Sequence, residues 1–330
     1  MTWLNKRDTQ LKLAFVLAMA AWPLLIKNDY ALSVMSIAGL YAIMVVGLVL
    51  LFGHAGQLSF GHTAFFGMGA YTSALLTTRL GVPTLLALAA SGIAAGFVAL
   101  IVGRPVLRLR FFFLSLATIG LGQVFYVVVR ETRWLTGGSN GIGNIPPLDV
   151  FGFVAGNYSG QYYVAWCVVL IMVLFTERAL RSRAGRAFQA LAASEIAAST
   201  LGIHTADWKL LAFVISGAYT GIGGSLYAFT IGAINPNDFG FAPAIIPILM
   251  MLVGGSTSLW GGMLGAIIMT WVGRGISTAP EYNGLMYAIT LILLLLFLPG
   301  GITGGLRAEQ RKWLQSIFKR LSGGERASGR

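Results

Sequence analysis

"FGHAGQLSFGHTAFFGMGAYTSALL", residues 52–76, is apolar enough to lie in a membrane, yet it carries two histidines, a glutamine, two serines, two threonines and five glycines. Small residues let helix backbones approach closely in lipid, and Gly61, Gly67, Gly69, Ala70 and Ala74 would supply such a surface. Gln57, Ser59, His62 and Thr63 ask for more, because a polar group at membrane depth must find a partner or face water. A broken helix lining a polar cavity meets both demands. His54 and His62 stand about 80° apart around an ideal helix. No cysteine or carboxylate lies near them in the sequence to complete a metal site.

The rest of the chain supports a membrane reading of this stretch. Of 330 residues 56% are hydrophobic and only 10% charged, where a soluble domain carries about 25% charge. Ala31–Phe52 and Leu285–Leu306 contain no charge at all, and about 20 apolar residues suffice for a helix to cross the hydrocarbon. The composition predicts an all-α polytopic membrane protein with little room for a soluble domain. The net charge of +12 reads as basic loops on one side of the membrane rather than as a nucleic-acid face. The single cysteine, Cys167, sits in an apolar run; it cannot form an intrachain disulfide and is expected to pack as a small hydrophobe. The basic start followed by an apolar run to Ile26 reads as a first span, not a cleaved leader.

About ten spans are expected, some of them short or broken: 11–26, 30–52, 57–78, 83–103, 111–129, 161–176, 209–232, 244–255, 260–277 and 283–299. Ten crossings return both termini to one side. With that side in the cytoplasm, 18 basic residues lie inside and five (Lys27, Arg79, Arg130, Arg133 and Arg274) outside, the bias that the positive-inside rule requires. The transmembrane body is then 1–306, with an outer loop at 130–161, an inner loop at 177–208 and a cytoplasmic tail at 307–330. The outer loop is rich in turn residues. The inner one, "ERALRSRAGRAFQALAASEIAASTLGIHTADWK", is rich in helix formers. A capping Ser194 and a terminating Gly202 predict two short helices joined near Ala193–Ser194.

Ser115, Thr118 and Gln123 fall inside the fifth span. Serine and threonine can bond back to their own helix, which leaves Gln123 as a candidate for a helix contact or a polar pathway. Gly254–Ser256 and Gly261–Gly262 break the chain between the eighth and ninth spans, which reads as a tight hairpin or a hinge. Catalytic readings fail. No nucleophile elbow accompanies His54, His62 or His204, and the tail's "LSGGER" (321–326) has no phosphate-binding loop elsewhere in the chain to serve it.

Beyond these readings the residues carry a likeness. "AGQLSFGHTAFFGMGAYTSALL" (55–76), "LRLRFFFLSLATIGLGQV" (107–124), "LTGGSNGIGNIP" (135–146), "SRAGRAFQALAASEIAASTLGI" (182–203), "KLLAFVISGAYTGIGGSLYA" (209–228) and "LVGGSTSLWGGMLGA" (252–266) resemble the permease subunits of branched-chain amino acid ABC importers. The outer TGG-NGI loop is closer to the M-type subunit than to its H-type partner. The resemblance implies the ABC importer permease architecture and a multi-pass protein of the bacterial inner membrane with both termini cytoplasmic. It implies as partners an H-type second permease, two cytoplasmic ATPases, a periplasmic substrate-binding protein and membrane lipid, with no nucleic acid. No cofactor would be held by this chain, ATP and Mg²⁺ belonging to the ATPases. It also implies an ATPase-docking element bounded by Gly185 and Gly202, with Ala190, Ala197, Ala198 and Leu201 as its packing face and Arg186 and Glu195 as polar contacts. Here the chain reads "LAASE" where relatives carry more charge, so docking would lean on apolar packing, and Glu195→Lys or Gly185→Pro is expected to uncouple uptake from ATP hydrolysis.

A zwitterionic cargo needs polar lining, for which the candidates are Gln57, Ser59, His62, Thr118 and Gln123. Two alternatives stay open: a permease of the same architecture for urea, amides or aromatic amino acids, and a passive channel or secondary transporter. Ion coupling is disfavoured because it usually needs buried carboxylates, and Glu177 and Glu281 stand only at span edges; a pore stays open.

Overall fold

α2 (Asp29–Leu48) is the axis of the molecule: from Ala31 to Leu48 every residue except Ser33 and Tyr41 is buried. Its sequence is continuously apolar, as a helix surrounded by other helices must be. Asn28 starts it by accepting a hydrogen bond from the Tyr30 N–H at 2.9 Å. The computed structural model describes residues 2–109, 111–150 and 152–275, the single positions 289, 292 and 296, and 301–304. The expected tenth span therefore lies outside the described residues, apart from helical Ile289, Ile292 and Leu296, as does the tail with its LSGGER motif.

Around α2 stand α1 (Thr2–Leu25), α3 (His62–Leu80), α4 (Thr84–Val106), α5 (Phe111–Glu131), α7 (Tyr158–Arg181), α10 (Thr205–Ile231), α11 (Phe241–Gly254) and α12 (Leu259–Gly275). A four-residue helix, α6 (Arg133–Thr136), and a hairpin of β1 (Asp149–Val150) with antiparallel β2 (Phe153–Val154) occupy the expected outer loop. Two short helices, α8 (Arg183–Ala193) and α9 (Glu195–Thr200), occupy the inner one. Among the described residues five helices are long and apolar enough to cross a membrane: α2 with the π turn Val49–His54 that extends it, α4, α5, α7 and α10. Lys12–Leu25 and α11 are shorter apolar helices. The outward faces match lipid: α4 exposes Leu86, Ile93, Phe97 and Ile101, and α5 exposes Phe112, Phe113, Leu116 and Val124.

Glycine packing seats α10 between α3 and α4. A methyl group on Gly221 would strike Ala95 of α4, one on Gly69 of α3 would strike the Gly221 carbonyl, and one on Gly224 would strike the Phe66 carbonyl. Such backbone-to-backbone approach replaces the hydrophobic driving force that lipid does not provide. The glycines of the opening stretch are thus packing residues, as one reading of the sequence held. The same device closes the α11–α12 hairpin, where Gly254 lies against Gly261 and Gly265 against the Met250 carbonyl.

Two expectations need correction. The third span does not begin as a helix at residue 57: residues 55–61 are non-helical and α3 starts at His62. Cys167 is not packed inside but exposed. It lies on the outer face of α7 with Tyr163, Ile171 and Leu174, while Tyr162, Trp166, Val169 and Val173 of the same helix face the core.

Candidate functional site

The break between α2 and α3 is a structured feature built by its sequence. α2 widens into the π turn Val49–His54, and Gly56 takes φ +69, a left-handed backbone that glycine adopts without steric penalty. The Gln57 N–H then donates back to the Leu51 carbonyl at 3.0 Å. Backbone groups freed by such a break must be satisfied inside the protein. α5 supplies the partners: the Phe60 N–H donates to Thr118 Oγ1 at 3.1 Å, and Ser115 Oγ donates to the Leu58 carbonyl at 3.3 Å. Within the break, Ser59 Oγ accepts from the Gly61 N–H at 3.3 Å. Where α3 begins, His62 Nε2 and Ser216 Oγ of α10 share a hydrogen bond of 2.6 Å. Gly47 makes room for it, because a methyl group there would stand 2.9 Å from Ser216 Oγ.

Four of the five expected lining residues therefore gather at the break. Gln57, Ser59, His62 and Thr118 are all buried, and Gln57 differs from its neighbours in one respect: neither its amide oxygen nor its amide nitrogen has a hydrogen-bond partner. An unpaired buried amide costs about 1–3 kcal/mol. Gln57 lines a cleft of about 1060 Å³ whose walls are the α4–α5 turn, with Arg104, Arg108 and Leu114, and the start of α10 with Asp207 and Lys209. Gln123, the fifth candidate, lies further along α5 and is half-buried. Ser216 was not singled out by sequence reasoning; a serine 154 residues from its histidine gives no local signal.

The other wall of the same cleft is the α8–α9 element, with Leu191, Ser194, Glu195, Ile196 and Ser199. The two helices meet at Ser194, whose Oγ accepts from the Ala197 N–H at 3.3 Å as an N-cap, and Gly202 follows α9 with φ +78. Both features agree with the sequence expectation. α8 turns Phe188 and Leu191 inward, with Phe188 edge-on to Trp208 at 5.6 Å. A methyl group on Gly185 would strike the Leu180 carbonyl, so α8 is pressed onto the last turn of α7. Of the residues expected to meet an ATPase, Gly185 and Ala198 are buried and Ala190 is half-buried. Arg186 and Ala197 are exposed, and Gly202 is exposed beside them. Leu201 is 78% exposed and neighbouring Ile196, which the sequence reading passed over, 79%. Glu195 forms an ion pair with Lys209 of α10.

The two halves of the site touch. A methyl group on Gly56 would stand 3.2 Å from Ala192 Cα, so α8 bears directly on the break that holds Gln57.

Comparison with known proteins places this geometry in context. Residues 30–298 match the model of the family described as branched-chain amino acid transport system / permease component. The high-affinity branched-chain amino acid transport system permease protein LivM of Escherichia coli K12 is 30% identical over 312 residues, 88% of this chain and 73% of that protein. LivH of Salmonella typhimurium is 30% identical over 293 residues, 82% of this chain and 93% of that protein. BraD of Pseudomonas aeruginosa is 26% identical over 303 residues, 84% and 95% of the two chains. No solved structure matches. By its sequence match and its helical membrane architecture, the chain belongs to the family of branched-chain amino acid transport permeases.

Proposed function

We propose that this chain is the M-type permease subunit of an ATP-driven importer of branched-chain amino acids in the bacterial inner membrane, with α8–α9 and both termini on the cytoplasmic side. It would pair with an H-type permease, receive cargo from a periplasmic binding protein and be driven by two cytoplasmic ATPases. ATP and Mg²⁺ would be bound by those ATPases. The observation that carries the reading is the contact of α8 with the break at Gly56. An ATPase seated on the exposed Ile196 and Leu201 would act through α8 on the polar break a few residues away. The Gln57 amide, one donor group and one acceptor, suits a zwitterion: its NH₂ would donate to a carboxylate and its oxygen accept from an ammonium. The aliphatic cargo named for LivM, LivH and BraD is the substrate class this reading takes.

The test is co-purification of the chain with its four companions, followed by reconstitution in vesicles with leucine, isoleucine, valine, phenylalanine and urea offered in turn. Leucine-class cargo should accelerate ATP hydrolysis and accumulate. Ile196→Asp with Leu201→Asp should strip the ATPases from an otherwise inserted permease. Uphill transport by the chain alone, or retention of the ATPases by that double variant, would refute the reading.

A further inference from the structure

Two elements press on the break. α8 does so through Ala192 at Gly56, and the α11–α12 turn does so through the Ser256 carbonyl, against which a methyl group on Gly53 would collide. Behind the second element, α12 is seated on α2 by Gly262, where a methyl group would stand 2.9 Å from Val45 and 3.1 Å from Val49. These two jaws belong to distant parts of the chain, and one carboxylate joins them.

Glu177 lies in the penultimate turn of α7, six residues before α8 begins. Its Oε1 accepts the indole N–H of Trp260, in the first turn of α12, at 2.7 Å, and the same oxygen accepts from the Lys12 ammonium of α1. Arg181, one turn on, places Nη2 3.9 Å from Oε2. The Lys12 ammonium also stands 5.5 Å from the centre of the Trp260 ring, and Phe15 meets that ring edge-on at 5.7 Å. The carboxylate is only 20% exposed. A half-buried charge held by a cation and an indole is sensitive to the loss of any partner, and the indole's only polar hydrogen fixes the ring's rotation.

We propose that Glu177 is a positioning residue for transport. It holds the start of α12 to the root of α8, so that the two jaws close on and release the break together. This rests on the reading that α8 receives the ATPase stroke. Without the carboxylate, the ATPases still dock on Ile196 and Leu201 and still turn over, but only the α8 jaw follows them.

The experiment uses the complete complex in vesicles, with uptake and ATP hydrolysis measured in the same sample. Glu177→Gln and Trp260→Phe should leave assembly and ATP turnover in place and lower uptake per ATP, by about tenfold for Glu177→Gln. Adding Lys12→Met to Glu177→Gln should cost little more, because the lysine's ion pair is already lost and only its contact with the Trp260 ring remains. A purely structural tether would lower complex yield, uptake and hydrolysis in proportion, leaving uptake per ATP at the wild-type value. That result in either variant overturns the proposal. If the wild-type complex itself shows no ATP-driven uptake, the functional reading fails first and takes this inference with it. If the wild type couples and Glu177→Gln couples equally well, only the inference falls.

Discussion

At the end of the bundle that carries α6 and the β hairpin, distant segments are joined by hydrogen bonds that end mostly on backbone groups, some from side chains such as Arg79, which donates to the Trp134 and Leu135 carbonyls. Ile142 and Ile234 exchange N–H and carbonyl at 3.0 and 2.9 Å, the Ile145 N–H donates to the Gly232 carbonyl, and Thr84 Oγ1 both accepts from the Asp149 N–H and donates to its carbonyl. At the opposite end ion pairs join helices: Glu177 of α7 with Lys12 of α1, and Glu195 of α9 with Lys209 of α10. Backbone links fix one geometry, because their donors and acceptors sit on the chain itself. Charged side chains reach across space and tolerate a shift of their helices. Among the described residues the ion pairs all lie at the second end.

The hardest way to strain that contrast is Gly141→Val. Gly141 has φ +72, and a side chain there would strike the Ile234 carbonyl, so about 3 kcal/mol should be lost, read as a fall in thermal unfolding temperature in detergent. Gly143→Ala, with open space around it, is the control; equal losses would show that the bridge is not a weld. A smaller effect, about 1–2 kcal/mol, is expected of Thr84→Val, which keeps the shape but abandons the Asp149 N–H. Hydrogen exchange at residues 149–154 should quicken while that at 183–200 stays as it was. The smallest effect is that of salt. Glu195 is 53% exposed, and raising salt to roughly 1 M should weaken its pair with Lys209 by well under about 1 kcal/mol. Exchange should rise in 195–204 alone; an equal rise at 142–149 would erase the distinction between the ends.

Local chemistry made some of this legible in the sequence and distance hid the rest. The joint between α8 and α9 was readable because a capping serine and a left-handed glycine act within a few residues of themselves. The break was readable as a cluster of polar residues in an apolar run, but its extent was not. Residues 57–60 look helical by composition and are held out of a helix by hydrogen bonds with Ser115 and Thr118 of another helix. Cys167 was misplaced because α7 is apolar on both faces, so periodicity could not tell the core side from the lipid side. Ser216 and the Glu177 junction were invisible for one reason: their partners lie 154, 165 and 83 residues away. Span spacing located the inner loop, and the likeness to known permeases marked Gly185–Gly202 within it, but neither told which of its residues face outward. Burial of Ala198 and exposure of Ile196 come from how α9 rests on α10.

The histidine–serine pair at the start of α3 also bears on biogenesis. At roughly 5–20 residues per second, the ribosome delivers Ser216 on the order of ten to thirty seconds after His62. For that interval the imidazole enters the bilayer with its eventual hydroxyl partner not yet made, and the glycine face of α3 awaits the helix that will cover it. The early spans therefore have reason to linger beside the insertion machinery, and the polar break is completed only when the helix bearing Ser216 arrives.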